Sequence, residues 1–396
     1  MIYLDNSATT RTFDSAAEAA RNYMLRDYFN PSSAYSPAVA VEKSVLLAKK
    51  RLASVIKASP DEIIFTSGAT ESNNMAFSGV LRAMRGKGRI IVSAVEHPSV
   101  YETALTYKSA GYDVVFAQVD GNGRVRLDSF SQLVTQNTQF VSVMQVNNET
   151  GAINQIFEIN DRLKSIAPGA IMHVDGVQGF LRVPISAEAC DMYSLSGHKF
   201  HAPKGVGALY ASKRIKFLGG QTGGGQENGL RSGTVNTPGI LAMDAAIQQY
   251  VSNNDTYVNS MMRCKLRLAE NLLRIRDTVI NGPAPLDGAP HILNVSFMGV
   301  RGEVLLHALE ERQIYVATGS ACSSYKHGKN RILESMGVKG ERQEGAIRFS
   351  LCPFNTIAEM DEAATAIESM AVPKKIYASS LILDTEASSP GHREGR

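Results

Sequence analysis

The sequence is poor in cysteine, in charge of one sign and in long apolar runs, and each shortage narrows what the chain can be. Its 396 residues hold four cysteines, Cys190, Cys264, Cys322 and Cys352, and none belongs to a C-x-x-C pair. That argues against a zinc site or a thioredoxin-like motif and leaves free thiols as the expectation. His198 and His201 flank Lys199 with no carboxylate or cysteine at ligand spacing, so no metal site is expected. A net charge of +3 is too slight to argue for nucleic acid, and no dense Lys/Arg block with interleaved aromatics occurs. No apolar run approaches the roughly 18 residues of a membrane helix, so no membrane partner is expected. Met1 to Asp5 reads as a strand ending in an acid rather than as a signal peptide, and the expectation is a cytoplasmic protein.

What remains is an ordinary globular composition, 44% hydrophobic and 20% charged, in a chain long enough for about two or three domains. Apolar runs at 62–65, 89–93, 113–119, 140–146, 171–174, 192–195 and 206–211 read as strands and alternate with helical patterns. This is the pattern of an α/β fold on a mostly parallel seven-stranded sheet flanked by helices. In such sheets ligands sit at the carboxyl ends of the strands. The polar run Asn253–Asp255 punctuates the chain, and from about Val279 the pattern turns to α+β, with strands at 292–297 and 346–350 around a helix at 303–311. From Ser379 the tail is polar and is expected to be disordered.

Several strands end in polar residues: Glu96-His97, Asn147-Asn-Glu149, Asp175-Gly-Val-Gln178 and Ser196-Gly-His-Lys199. One such end is commonplace; several on one rim make a site. Lys199 follows a buried strand broken by Gly197, where desolvation would free its amine to form a Schiff base with pyridoxal phosphate (PLP). The plain alternative is a surface lysine. Asp175 suits pairing with a protonated pyridine nitrogen, or else a helix cap or an ion pair. His97 can stack on a flat ring and move protons near neutral pH, or serve structure alone. Thr66-Ser-Gly-Ala-Thr-Glu-Ser72 joins a strand to a helix, and the N–H groups there form a phosphate cradle. Capping by Ser67 or Thr70 is the alternative. It is not a Walker loop, and Gly219–Gly225 misses G-x-G-x-x-G and opens no helix, which excludes a dinucleotide fingerprint. Cys322 lies among small residues after a strand, fit for a reachable nucleophile or an inert loop thiol.

In this order and at this spacing, the motifs resemble those of the cysteine desulfurases, PLP-dependent enzymes of fold type I in the class-V aminotransferase-like family. The resemblance runs from Tyr3 to about Met370. It is carried by Tyr3-Leu-Asp-Asn-Ser-Ala-Thr-Thr10, Thr66–Ser72, Glu96-His97, Val146-Asn-Asn-Glu-Thr-Gly151, His173-Val-Asp-Gly-Val-Gln178, Ser196–Lys199, Arg231-Ser-Gly-Thr234, Gly319-Ser-Ala-Cys-Ser-Ser324 and Ile347-Arg-Phe-Ser350. It implies a large PLP-binding domain over 13–255 and a smaller α+β domain, from 1–12 and 256–378, that carries Cys322. Lys199 would be the Schiff-base lysine. Ala69, Thr70, Ser196 and His198 would hold the phosphate, joined by Thr234 from the second subunit of a homodimer. Asp175 would meet the ring nitrogen and Gln178 the ring hydroxyl, with His97 stacked on the ring. Asn148 would touch cofactor or substrate, and Arg348 would hold the substrate carboxylate.

The implied reaction turns L-cysteine into L-alanine and leaves its sulfur on Cys322 as a persulfide, for an acceptor such as an iron–sulfur scaffold protein. Aminotransfer, a selenocysteine lyase and a catalytically quiet sulfur carrier are the alternatives on this scaffold. Two stretches depart from the family. Ser323–Asn330 stands where small polar residues and a Pro-Ser are usual, and its Lys326 and Lys329 either favour a thiolate or an acidic acceptor, or are solvated charges. Leu351-Cys-Pro-Phe-Asn-Thr356 replaces a Leu-Gly-Arg-Phe-Thr-type run and makes Cys352 either a second thiol near Arg348 or a packed cysteine.

Overall fold

The structure, a computed structural model, describes residues 1–319 and 330–384. Cys322, Lys326 and Lys329 lie outside the described residues, as do residues 385–396 of the expected tail. The chain opens with β1 (Ile2–Tyr3), α1 (Asp14–Leu25) and α2 (Ser36–Val55). It then alternates through β2 (Ile63–Thr66), α3 (Ala69–Leu81), β3 (Arg89–Ser93), α4 (Pro98–Ser109), β4 (Asp113–Ala117), α5 (Leu127–Leu133), β5 (Thr138–Met144) and α6 (Ile156–Ile166). Strands β6 (Ile171–Asp175), β7 (Met192–Ser196) and β8 (Gly207–Ala211) follow, then α7 (Thr237–Ser252) and α8 (Asn254–Leu273). The remainder is β9 (Thr278–Ile280), β10 (Ile292–Phe297), α9 (Gly302–Glu310), β11 (Ile314–Tyr315), β12 (Ala317–Thr318), α10 (Arg331–Ser335), α11 (Glu341–Glu344), β13 (Ala346–Ser350) and α12 (Ile357–Asp384). Helix α12 thus runs past Ser379, where the tail was expected to lose its order.

The expected seven-stranded sheet is present, in the order β2-β8-β7-β6-β5-β3-β4. Its strands are parallel from β7 to β4, and β8 runs antiparallel to both β2 and β7. Helices cover both faces, which is why its strands are buried nearly throughout and mostly apolar rather than alternating. On one face Ile90, Val92, Phe140 and Leu209 meet Phe77 and Val80 of α3 and Val100 and Ala104 of α4. On the other, Ile91, Val141, Val143 and Met172 meet Leu52 of α2, Ile159 and Leu163 of α6, and Ile247 of α7. After β3 the chain first adds β4 on one side and then returns to add β5 on the other. The crevice where strand order reverses therefore opens between the carboxyl ends of β3 and β5, which carry Glu96-His97 and Asn147–Glu149.

A second, antiparallel sheet has the order β12-β13-β10-β9. The N-terminal segment is tied to it: β1 pairs with β11 in a two-stranded sheet of its own, and just beyond β1 Ser350 N of β13 donates to Leu4 O at 2.6 Å and Asn6 N to Ser350 O at 3.2 Å. Residues 5–10 then cross to the large sheet, where Thr10 N donates to His198 O at 3.0 Å. One strap of chain thus links both sheets at the strand ends. Among the described residues no helix is long and apolar enough to cross a membrane.

Candidate active site

Ten of the twelve expected site residues line one cleft of about 580 Å³: Ala69, Thr70, His97, Asn148, Asp175, Gln178, Ser196, His198, Lys199 and Arg348. Thr234 is not among them; it lines a smaller adjoining cavity with Ser67 and Arg231. Cys322 falls outside the described residues. A wider groove of about 720 Å³ lies between the ends of α2 and α7. It gathers none of these residues, and its Arg51 is paired with Asp244.

Lys199 ends a tight turn, Gly197–Lys199, that follows β7 directly. Its Nζ donates to Ser7 O at 2.6 Å and Ala8 O at 2.9 Å, both on the N-terminal strap, and Arg182 holds its carbonyl from behind. Across the cleft Asp175 is buried at the end of β6. It accepts from Asn73 Nδ2 at 2.9 Å and from Val177 N at 3.1 Å. Among the described residues no cation pairs with it, so no salt bridge accounts for it; its bond to Val177 N caps the turn after β6 with one oxygen.

Asn73 also donates to Ser99 Oγ at 2.9 Å, and Ser99 Oγ lies 2.8 Å from His97 Nδ1. A hydrogen-bonded chain therefore runs Asp175–Asn73–Ser99–His97. Ser99 N donates to the same Nδ1 at 3.2 Å, making His97 the cap of α4. Nδ1 is thus an acceptor, and the proton of the neutral ring sits on Nε2. Burial lowers the His97 pKa, Asp175 opposes that, and Lys199 and Arg331 reinforce it, so the ring is neutral at physiological pH. Beside it, Glu96 is fully buried and pushed up to about 8, first by burial and then by Asp175, against its bonds to Ser93 and Met144 N. As a neutral carboxyl it ties the end of β3 to the end of β5.

At the start of α3 the cap residue is Gly68 and no side chain caps it, which removes the reading of Ser67 or Thr70 as a cap. The first N–H groups of a helix have no partner within it, so this end offers donors. Ser67 N is taken by Glu71, which pairs with Arg231 at 2.8 Å. His198, at about 4 through burial and the nearby Lys199 and Lys204, offers a neutral ring rather than a charge. Its Nδ1 lies 3.2 Å from Thr9 Oγ1.

Arg348 is buried on β13. Its Nη1 donates to Glu149 Oε1 at 2.9 Å and Asn148 O at 3.1 Å, and its Nη2 to Asp5 Oδ1 at 2.8 Å. Glu149 is raised by burial and held down by Arg348. Cys352 does not line the cleft; burial pushes its thiol up, and its N–H is bound by Asn355 Oδ1, as a packed cysteine would be.

These residues fit PLP. A buried carboxylate without a cation suits a protonated pyridine, an uncapped helix start suits a phosphate, and the buried Asn148 Oδ1 lacks a hydrogen-bond partner among the described residues. Reading the sequence missed Asn73, Ser99, Asp5 and Glu149 as parts of the site. Asp5 and Glu149 lay inside quoted motifs and their signal was a carboxylate without an assigned task. Asn73 and Ser99 carried no signal beyond following a cradle or a histidine.

Residues 2–362 match the family model described as aminotransferase class-V. A cysteine desulfurase of Trichormus azollae is 38% identical over 91% of this chain and 90% of its own length. Cysteine desulfurase IscS of Methanosarcina thermophila is 37% identical over 92% of this chain and 91% of its own. Among solved structures a NifS-like protein superposes with TM-score 0.88 at 35% identity, covering 93% of this chain and 98% of that one. A structure described as SspA in complex with cysteine gives 0.79 at 28% identity, covering 90% and 100%.

Proposed function

We propose, from the premise that this chain belongs to the class-V aminotransferase family, that it is a PLP-dependent cysteine desulfurase. L-Cysteine is the substrate, L-alanine the carbon product, and the sulfur passes to Cys322 as a persulfide. The observation that carries this reading is the convergence of Lys199, Asp175, Gln178, the uncapped start of α3 and Arg348 on one cleft. Relatives named as cysteine desulfurases over nine-tenths of the chain support the same reaction.

Bound PLP supplies an aldehyde for an amine and a conjugated ring that takes up electrons from the substrate α-carbon. The first turn of α3, with Ser196 and His198, would hold its phosphate. Asp175 would meet the ring nitrogen, Gln178 the ring oxygen and His97 the ring face. Lys199 would be its covalent anchor. The Ser7 and Ala8 carbonyls hold its amine at the cleft, where it would take the substrate's α-proton. His97, with its proton on Nε2, donates a hydrogen bond to the cleft and leaves abstraction to Lys199. Arg348, oriented by Asp5 and Glu149, binds the substrate carboxylate, with Asn148 beside it. As the Cys322 thiolate forms its S–S bond, the substrate C–S bond breaks and the electron pair stays with the carbon fragment, which takes up a proton at its β-carbon, recovers the α-proton from Lys199 and leaves as alanine.

The proposal includes a homodimer in which Thr234 of one copy reaches the phosphate of the other, and delivery of sulfur to an acceptor such as an iron–sulfur scaffold protein. It also divides the chain into a large domain, 13–255, and a smaller one from 1–12 and 256–378, supported by the bonds of Leu4 and Asn6 to Ser350. The test is release of sulfide and alanine from L-cysteine with a reductant present, read with the visible spectrum. Wild type should be yellow and yield both in equal amounts. Cys322→Ala should keep the colour and lose the products, and Lys199→Ala should lose the band. Turnover by Cys322→Ala at the wild-type rate removes Cys322 from the mechanism. A colourless wild type that takes up no added PLP removes the enzyme reading.

A further inference from the structure

Behind Gln178 sits a histidine that the mechanism above does not use. His291 immediately precedes β10, is 1% exposed, and its Nε2 lies 3.1 Å from Gln178 Oε1. Its carbonyl accepts from Leu351 N at 2.8 Å, and two residues earlier Ala289 N donates to Gly151 O at 2.8 Å. The ring therefore reaches from the second sheet to the cleft wall with little freedom.

The two neighbours of the Gln178 amide decide which way it faces. Gln178 Nε2 donates to Ser7 O at 3.1 Å, on the same strap that holds Lys199. A reversed amide would set Oε1 against the Ser7 carbonyl, acceptor against acceptor. Burial, with Arg182, Lys265 and Arg348 nearby, keeps His291 neutral, so it owns a single N–H. Facing Oε1, that N–H is on Nε2. Nδ1 has no hydrogen-bond partner among the described residues, so nothing competes for the proton there.

We propose that His291 is a positioning residue for the cofactor: it locks the Gln178 amide so that its second N–H, and not its oxygen, is presented to the ring oxygen of PLP. This rests on the PLP reading above. An amide without the lock can turn its oxygen to the cleft, where it would repel an anionic ring oxygen.

PLP titrated into the cofactor-stripped full-length protein tests this, reading the dissociation constant and the position of the visible band, with thermal unfolding as a check of folding. His291→Phe and His291→Leu remove the N–H and should weaken PLP binding about fivefold, the worth of one hydrogen bond, and move the band. His291→Gln, whose amide N–H reaches the same acceptor, should restore both. On a Gln178→Ala background His291→Phe should change neither quantity, because the residue it orients is gone. The proposal is overturned if His291→Phe binds PLP with the wild-type constant and band, if His291→Gln is no better than His291→Phe, or if the two substitutions add in full. A wild type that binds no PLP overturns the cofactor reading itself and this proposal with it.

Discussion

At the scale of single residues, the site depends on which atom holds a proton. Nδ1 of His97 accepts from Ser99 N and lies 2.8 Å from Ser99 Oγ, which itself accepts from Asn73. With the ring neutral both groups can donate to Nδ1; a proton there would face the Ser99 N–H outright and would require the hydroxyl to turn and accept instead. Removing the hydroxyl with Ser99→Ala takes away one of them. The His97 pKa, lowered mainly by burial, should then rise toward its ordinary value, and the acid limb of the kcat profile should move to higher pH. A ring titration followed by NMR, run beside the pH–rate profile, measures this; an unmoved His97 titration would mean the hydroxyl does not set its protonation. The same chain explains why sequence reading reached His97 and Asp175 but not what joins them. A histidine or carboxylate after a strand announces chemistry by its type, whereas Asn73 and Ser99 matter only through where α3 and α4 bring them.

At the scale of elements, close backbone approach at the cofactor end of the sheet allows α3 to begin where it does. A Cβ on Gly207 of β8 would stand 2.6 Å from Leu195 O and 2.7 Å from Gly68 Cα, all backbone that cannot yield locally. Gly207→Ala should therefore push the start of α3 off the end of β7. The expected cost is about 1–3 kcal/mol of stability, with weaker PLP binding, read by denaturant unfolding and cofactor titration. Helix α10 makes a second such junction. Arg331, its first residue, lies 3.8 Å over the Tyr101 ring and donates to Ala94 O and Glu96 O, fixing the turn that carries His97. Arg331→Ala should lower kcat about tenfold by loosening that turn, with a smaller change in KM for cysteine. Arg331→Lys should recover only part, because an ammonium cannot lie flat on the ring while serving two carbonyls. Steady-state kinetics of the two variants decide it. The strands and the glycine turn were legible because apolar runs and breakers are local signals. The Arg331 junction was not, because its partners are more than two hundred residues away in sequence.

At the scale of the whole molecule, the chain buries neutral histidines and a neutral carboxyl, and their opposing titrations set where it is most stable. Burial lowers His173 to about 3, and His198 and His201 to about 4. In the unfolded chain each titrates near 6.5. Between those limits the unfolded state binds more protons, so the stability these groups contribute is present above about pH 6.5 and is lost as pH falls toward 4. Glu96 acts the other way. Its folded value of about 8 exceeds the unfolded 4.5, so its contribution is full below 4.5 and is lost as pH rises through 8. At pH 5 unfolding should take up close to three protons at the histidines and release somewhat less than one from Glu96, a net uptake of about two. His97 and His291, also lowered, add to the uptake. Near pH 7 the two contributions nearly cancel, so the stability curve should be flat there and fall steeply below pH 6. Calorimetric unfolding in buffers of different ionisation enthalpy counts those protons directly. Glu96→Gln, which keeps the neutral shape, should raise the count at pH 5 by nearly one and leave the acid-side loss in place. A count of zero at pH 5 in the wild type would mean that these histidines are charged in the fold, which the burial of His173 between Ser142 and Ser194 opposes.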